Sequence, residues 1–184
     1  MSGKRQQEDQ MNPIIKELIR KLEGKEEGEG KEGEGKREKT KSITELLSER
    51  DIFHPDGYAS KVMEYINKNS RVKIASVQLR RVFYEFKAIV DDLRREKKKG
   101  KEDDLNKAIE RAMGRLYRLY AILEYQTGRG VLNKDFKELM FKLFDSIERE
   151  REEEKERKEK DRVIEAFEKV YDFLMAMVAY SKKS

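Results

Sequence analysis

Histidine, cysteine and grouped carboxylates do most side-chain chemistry, and this chain offers few of them. It has one histidine, His54, and no cysteine, which removes disulfides, thiolate metal sites and cysteine nucleophiles together. His54 lies in Phe53-His54-Pro55-Asp56-Gly57, a turn by composition. No H-E-x-x-H, G-x-S-x-G or phosphate-binding glycine loop accompanies it, so it reads as a structural residue of that turn. Two adjacent carboxylate pairs, Asp91-Asp92 and Asp103-Asp104, are of the type that can hold Mg²⁺. With 38 acidic residues in the chain, such neighbours arise by chance, and both pairs flank a charged stretch where solvation is the default. The residues therefore point to no catalytic centre, no metal and no cofactor.

The basic residues are better organised. Residues 71–142 carry 19 basic and 11 acidic groups, although the whole chain has a net charge of only +5. Arg80, Lys87 and Arg94 recur every seven residues, with Tyr84 between the first two. Lys107, Arg111, Arg115 and Arg118 follow spacings of four, four and three, which puts them on one helix face. Arginine grips phosphate in bidentate fashion, and a nearby tyrosine can stack on an unpaired base. The candidate RNA-binding set is Arg80, Arg81, Lys87, Arg111, Arg115, Arg118, Arg129 and Lys134. The competing reading is a solvated face, in a chain of which 44% is charged, and Asp91 beside the first stripe favours it. Tyr117, Tyr120 and Tyr125 have the spacing of core aromatics. Gly114 in the same helix costs about 1 kcal/mol against alanine, which points to close helix packing there.

The elements that must position these residues are helices. Ile14, Ile15, Leu18, Ile19 and Leu22 mark one side of a short helix over 13–22, with Pro13 in its first turn. Residues 24–41 are a Gly/Glu/Lys mixture without a hydrophobic side chain, a linker by composition. The helix before it is thus expected to be tethered rather than integrated, either a frayed extension or a docking peptide. Ser42 and Glu45 fit a capping box opening a helix through Arg50, and a second helix carries Ala59, Val62, Met63 and Ile66. Ser76 caps a helix with Leu79, Val82, Phe83, Phe86, Val90 and Leu93, and the charged run Arg94–Lys101 closes at Gly100. Leu105 to Leu123 form a longer helix that stops at Gly128, read as left-handed. Asn133 caps the Phe136–Ile147 helix, residues 148–162 are either a projecting helical end or a solvated loop, and Val163 to Val178 form the last helix. No strand pattern persists. The chain is expected to be all-α, a bundle of about five helices over 43–184 after a flexible tail over 1–42. No stretch approaches the ~18 apolar residues of a membrane span, which points to a cytoplasmic protein. The Lys/Glu richness is similar to thermophile composition.

Several segments in this order resemble a known family. They are Gly57-Tyr58 leading into a helix, Ser76-Val77-Gln78-Leu79-Arg80-Arg81-Val82-Phe83, Tyr125-Gln126-Thr127-Gly128-Arg129 before the Phe136 helix, and Phe167 to Tyr180 closing on Val178-Ala179-Tyr180-Ser181-Lys182. Over about residues 55–182 the chain resembles the small subunit of type III-A CRISPR effector complexes, the Csm small subunit. The resemblance implies a five-helix bundle without enzymatic activity, present in several copies stacked along the complex, in antiviral defence. It implies guide RNA and target single-stranded RNA as ligands, with a backbone subunit and a large signalling subunit as partners, and contact to RNA backbone rather than base edges. Arg80 falls on the arginine of an S-x-Q-x-R pattern and Arg129 on that of a Gly-Arg pattern. The Gly/Glu tail and the charged 148–162 segment depart from the family. The alternative is a helical protein–protein scaffold without nucleic-acid contact, motivated by the helix at 13–22 and the mixed-charge faces.

Overall fold

The computed structural model describes residues 12–23, 42–69, 76–157 and 160–181, and every regular element among them is a helix. In chain order these are α1 (Pro13–Leu22), α2 (Ile43–Leu46), α3 (Glu49–Phe53), α4 (Tyr58–Asn69), α5 (Ser76–Lys99), α6 (Glu102–Gly128), α7 (Lys134–Arg157) and α8 (Lys160–Tyr180). The all-α expectation holds, with α4 to α8 as the long members. The three shorter helices before them take the total past the five expected. The linker assigned to 24–41 lies outside the described residues. No described helix is long and apolar enough to cross a membrane.

Local chemistry sets most boundaries. The Ser42–Glu45 capping box is present: Ser42 Oγ accepts from Thr44 N (3.3 Å), and Glu45 Oε2 accepts from Ser42 N (3.3 Å). The helix it opens stops at Leu46 instead of Arg50, because Leu47 turns extended (φ −120°, ψ 107°) to bury its side chain. Ser48 and Asp51 then form a second capping box that starts α3. Gly57 follows in a tight turn where a Cβ would stand 2.6 Å from the Asp51 carbonyl oxygen and 2.8 Å from that of Arg50. Only glycine fits there.

Two helix ends need correction. The run 94–99 continues α5, and the chain reverses at Gly100 (φ +68°). Gly128 remains helical, and Gly130 (φ +70°) takes the left-handed position. Gly130 N donates to Thr127 O (2.9 Å) and Val131 N to Gln126 O (3.1 Å), the paired bonds of a Schellman motif that needs its left-handed residue one place beyond the C-cap Arg129. Asn133 caps α7, accepting from Phe136 N at 3.0 Å.

The core runs along α8, which packs against α4, α5 and α7. Phe86 of α5 stacks on Phe144 of α7 (5.7 Å, 7°) and meets Phe167 of α8 at 5.9 Å. The helix at 13–22 is not a tethered appendage. It packs against α7 and α4, and Ile15, Leu18 and Leu22 are fully buried in the common core. Polar contacts fasten it as well. Tyr58 donates to Glu17 (2.7 Å), Lys142 pairs with Glu23 (2.8 Å), and Arg149 Nη2 donates to the terminal carbonyl of Leu22 (2.6 Å), satisfying a group the helix leaves open.

The 148–162 segment is helical wherever it is described. Glu150 and Glu154 are buried there despite the absence of apolar neighbours in sequence. Arg162 of α8 lies 3.6 Å from Glu150, and Arg151 binds Glu154 at 2.5 Å. Buried carboxylates persist when paired with cations. The Glu154 pair is hydrogen-bonded, whereas the Glu150 oxygen nearest Arg162 accepts no hydrogen bond from a described residue and is held by charge attraction.

Candidate nucleic-acid interface

Helices α5 and α6 form an antiparallel hairpin about Gly100, and this pairing gathers most of the sequence-selected arginines. Arg111 Nη2 lies 3.3 Å from Asp92 Oδ2, which fixes the register and identifies the flank of α6 that faces α5. Arg115 and Arg118 share that flank by helical periodicity, and Arg129 returns to it beyond the end of α6. Arg81 stands on the flank of α5 that faces α6, the side of Asp92. Arg81, Arg111, Arg115 and Arg118 thus line one groove between the two helices. The same register sets Gln78 level with Tyr125 and Gln126, so the segments 76–83 and 125–129 meet at one end of the groove.

The remaining candidates lie elsewhere. On α5, Phe83 stacks on Tyr171 of α8 (5.6 Å), and Arg94 binds Glu168 of α8 (2.7 Å) and stands over the Tyr171 ring (5.4 Å). Arg80 and Lys87 belong to this α8-facing flank. Lys134 is exposed at the first turn of α7, beyond the groove.

Charge pairing divides the set further. Lys87 is ion-paired with Asp91, one turn away, and Arg111 shares Asp92 with Arg95. Asp91 and Asp92 are thereby engaged by cations, and among the described residues no group of three His, Cys, Asp or Glu side chains could hold a metal. Arg80, Arg81, Arg115, Arg118 and Lys134 make no ion pair with any described residue. Three of them, Arg81, Arg115 and Arg118, are groove residues. Glu85, on the same flank of α5 by periodicity, is likewise without an ion pair among the described residues, so the groove keeps a surplus of positive charge. His54 stays in its turn, where its Nδ1 accepts from Asp56 N at 3.1 Å.

Two tyrosines depart from the core assignment that their spacing suggests. Tyr125 is 65% exposed and Tyr117 54%, so neither belongs to the core. Tyr120 is half-buried between Phe141 and Phe144, and its hydroxyl donates to Asp145 at 2.8 Å. Spacing carries the signal that separates them, since Tyr125 follows Arg111 and Arg118 at sevens, on their solvent face. Gly114 is also exposed, with nothing within 4 Å of the point where a Cβ would stand, so close helix packing is not its reason.

The family model described as Csm2 Type III-A matches residues 55–184. No curated protein and no solved structure matches the chain. The matched span takes in all of α4 to α8 and leaves α1, α2 and α3 outside it. With 55–184 matched, well over half of its length, the chain belongs to the Csm2 type III-A family, the small subunits of type III-A Csm complexes.

Proposed function

We infer that this chain is a non-catalytic small subunit which binds the RNA of a type III-A effector complex through the α5–α6 groove. Several copies stack along guide RNA and target RNA, beside the backbone and large signalling subunits. The observation that carries the reading is the set of arginines at 81, 115 and 118, which make no ion pair with a described residue and outnumber the unpaired Glu85 on the same groove of a family member. Such guanidiniums grip phosphates without reading bases, as a guide-programmed complex requires. Stacked copies would multiply weak single-copy binding. The scaffold alternative loses its main motive, because the helix expected to be detachable is buried in the core.

The test is RNA binding by the full chain across a salt series. Each of Arg115→Glu, Arg118→Glu and Arg129→Glu is expected to weaken binding equally for unrelated sequences. Removing one phosphate interaction with a single strand lowers the salt slope by about 0.7. Lys87→Gln is expected to change the slope less, since Asp91 already neutralises Lys87. Unchanged affinity in all three glutamate variants, with helicity intact, would refute the groove. Metal-dependent RNA cleavage abolished by replacing Asp91 and Asp92 would refute the non-catalytic reading.

A further inference from the structure

The chain has eight tyrosines, and the structure sorts them. Tyr58, Tyr65, Tyr120 and Tyr180 donate their hydroxyls to Glu17, Asp135, Asp145 and the carbonyl of Phe53. Tyr171 is held between Phe83 and Arg94. Tyr84, Tyr117 and Tyr125 are the exposed ones, at 62%, 54% and 65%, and among the described residues their hydroxyls have no hydrogen-bond partner. A single exposed tyrosine needs no explanation by itself, but one fixed beside arginines offers a ring on which a base can stack.

The three differ in their surroundings. Tyr117 lies on the α7 side of α6, within the field of Glu110, Glu148 and Glu152. Tyr84 stands on the outer ridge of α5 between Arg80 and Arg81 and is braced by the Phe83 ring at 5.4 Å. Tyr125 stands on the other rim of the groove, with the Arg129 guanidinium 5.6 Å from its ring centroid. Both rings are held in place beside uncompensated arginines, whereas acidic groups surround the third.

The geometry points to Tyr84 and Tyr125 as a pair of base-stacking platforms, one on each rim of the groove, that make it a site for an unpaired RNA strand in preference to duplex. This rests on the reading of the groove as an RNA site and names the form of RNA it takes. The Arg111–Asp92 pair sets Tyr84 level with residue 119, six residues from Tyr125, or roughly 9 Å along the groove at 1.5 Å per residue. The helix axes also lie roughly 8–10 Å apart, so the two platforms are separated by roughly 13 Å. At about 3.4 Å per nucleotide they receive bases roughly four nucleotides apart, while the arginines hold the phosphates between. Bases within a duplex are stacked on each other and present no free face to an aromatic ring.

The test uses the full chain at low salt with three fluorescent probes: a 20-residue oligouridine, an abasic ribose-phosphate oligomer of the same length, and a 20-base-pair RNA duplex. The wild-type chain is expected to prefer oligouridine over both others. Tyr84→Ala and Tyr125→Ala should each lower oligouridine affinity roughly tenfold while leaving abasic and duplex binding unchanged. Tyr84→Phe and Tyr125→Phe should restore it, because the ring and not the hydroxyl stacks. Tyr117→Ala should have no effect. A wild-type chain that binds all three probes alike, or a preference that survives both alanine variants, overturns the proposal while leaving the RNA site standing. A chain that binds none of the probes overturns both.

Discussion

Gly114 and Gly57 meet a methyl group in opposite ways. At Gly114 it would enter open space on an exposed, ordinary helical backbone, and at Gly57 it would strike the carbonyl oxygens of Asp51 and Arg50. Gly114→Ala is therefore expected to stabilise the free chain by up to about 1 kcal/mol. Gly57→Ala is expected to destabilise it by about 1–3 kcal/mol. Urea midpoints test both, and a lower midpoint for Gly114→Ala would refute the first. Tyr120 supplies a pH signature. Burial, then the hydrogen bond to Asp145, pushes its phenol well above the ordinary tyrosine value. The folded chain thus keeps a proton that the unfolded chain loses near pH 10. This contribution is intact at neutral pH and declines as pH rises past about 10. Tyr120→Phe should flatten the fall of the urea midpoint between pH 9 and 11, and an unaltered fall would count against it. At this scale the caps at Ser42 and Asn133 are legible in sequence, because their partners sit two or three residues away. The exposure of Tyr125 is legible only through its spacing of sevens from Arg111 and Arg118, since a tyrosine at helical spacing otherwise suits core and rim alike until the buried stripe is known. The left-handed glycine falls two residues beyond its expected place because Gly128 and Gly130 are equivalent in composition.

Among the elements, α1 departs furthest from expectation. Its apolar stripe is plain in sequence, but a stripe does not say which groove receives it, and the groove lies on helices far along the chain. Leu18→Ala is expected to cost about 2–5 kcal/mol, the range for truncating a fully buried leucine. An unchanged unfolding midpoint would show that α1 contributes nothing to the fold. The end of α7 is open between helix and loop in sequence for a related reason. Hydrophobic periodicity is silent over 148–157, and what buries Glu150 and Glu154 is pairing with Arg162 and Arg151. The α5–α6 hairpin is half legible: the arginine faces can be read from spacing, but their convergence needs the Arg111–Asp92 register.

For the molecule as a whole, placement of charge should matter more than its total. The exposed Arg50 and Lys61 lie on α3 and α4, away from the α5–α6 groove. The double reversal Arg50→Glu with Lys61→Glu removes as much positive charge as Arg115→Glu with Arg118→Glu. RNA affinity is expected to stay within about twofold of wild type in the first pair and to fall by a salt-dependent tenfold or more in the second. Equal losses would mean that the chain attracts RNA through its net charge alone. The basic segment is evident from sequence, but which cations are silenced is not, because Glu168 and Asp92 reach Arg94 and Arg111 from other helices.

The burial of α1 also bears on synthesis. Leu22 and Arg149, which share a hydrogen bond, are 127 residues apart. At roughly 5–20 residues per second, α1 leaves the ribosome some 6–25 s before the helix that receives it. During that interval Ile15, Leu18 and Leu22 are an apolar face in search of cover on a growing chain, next to neighbouring nascent chains with the same face and the same vacancy.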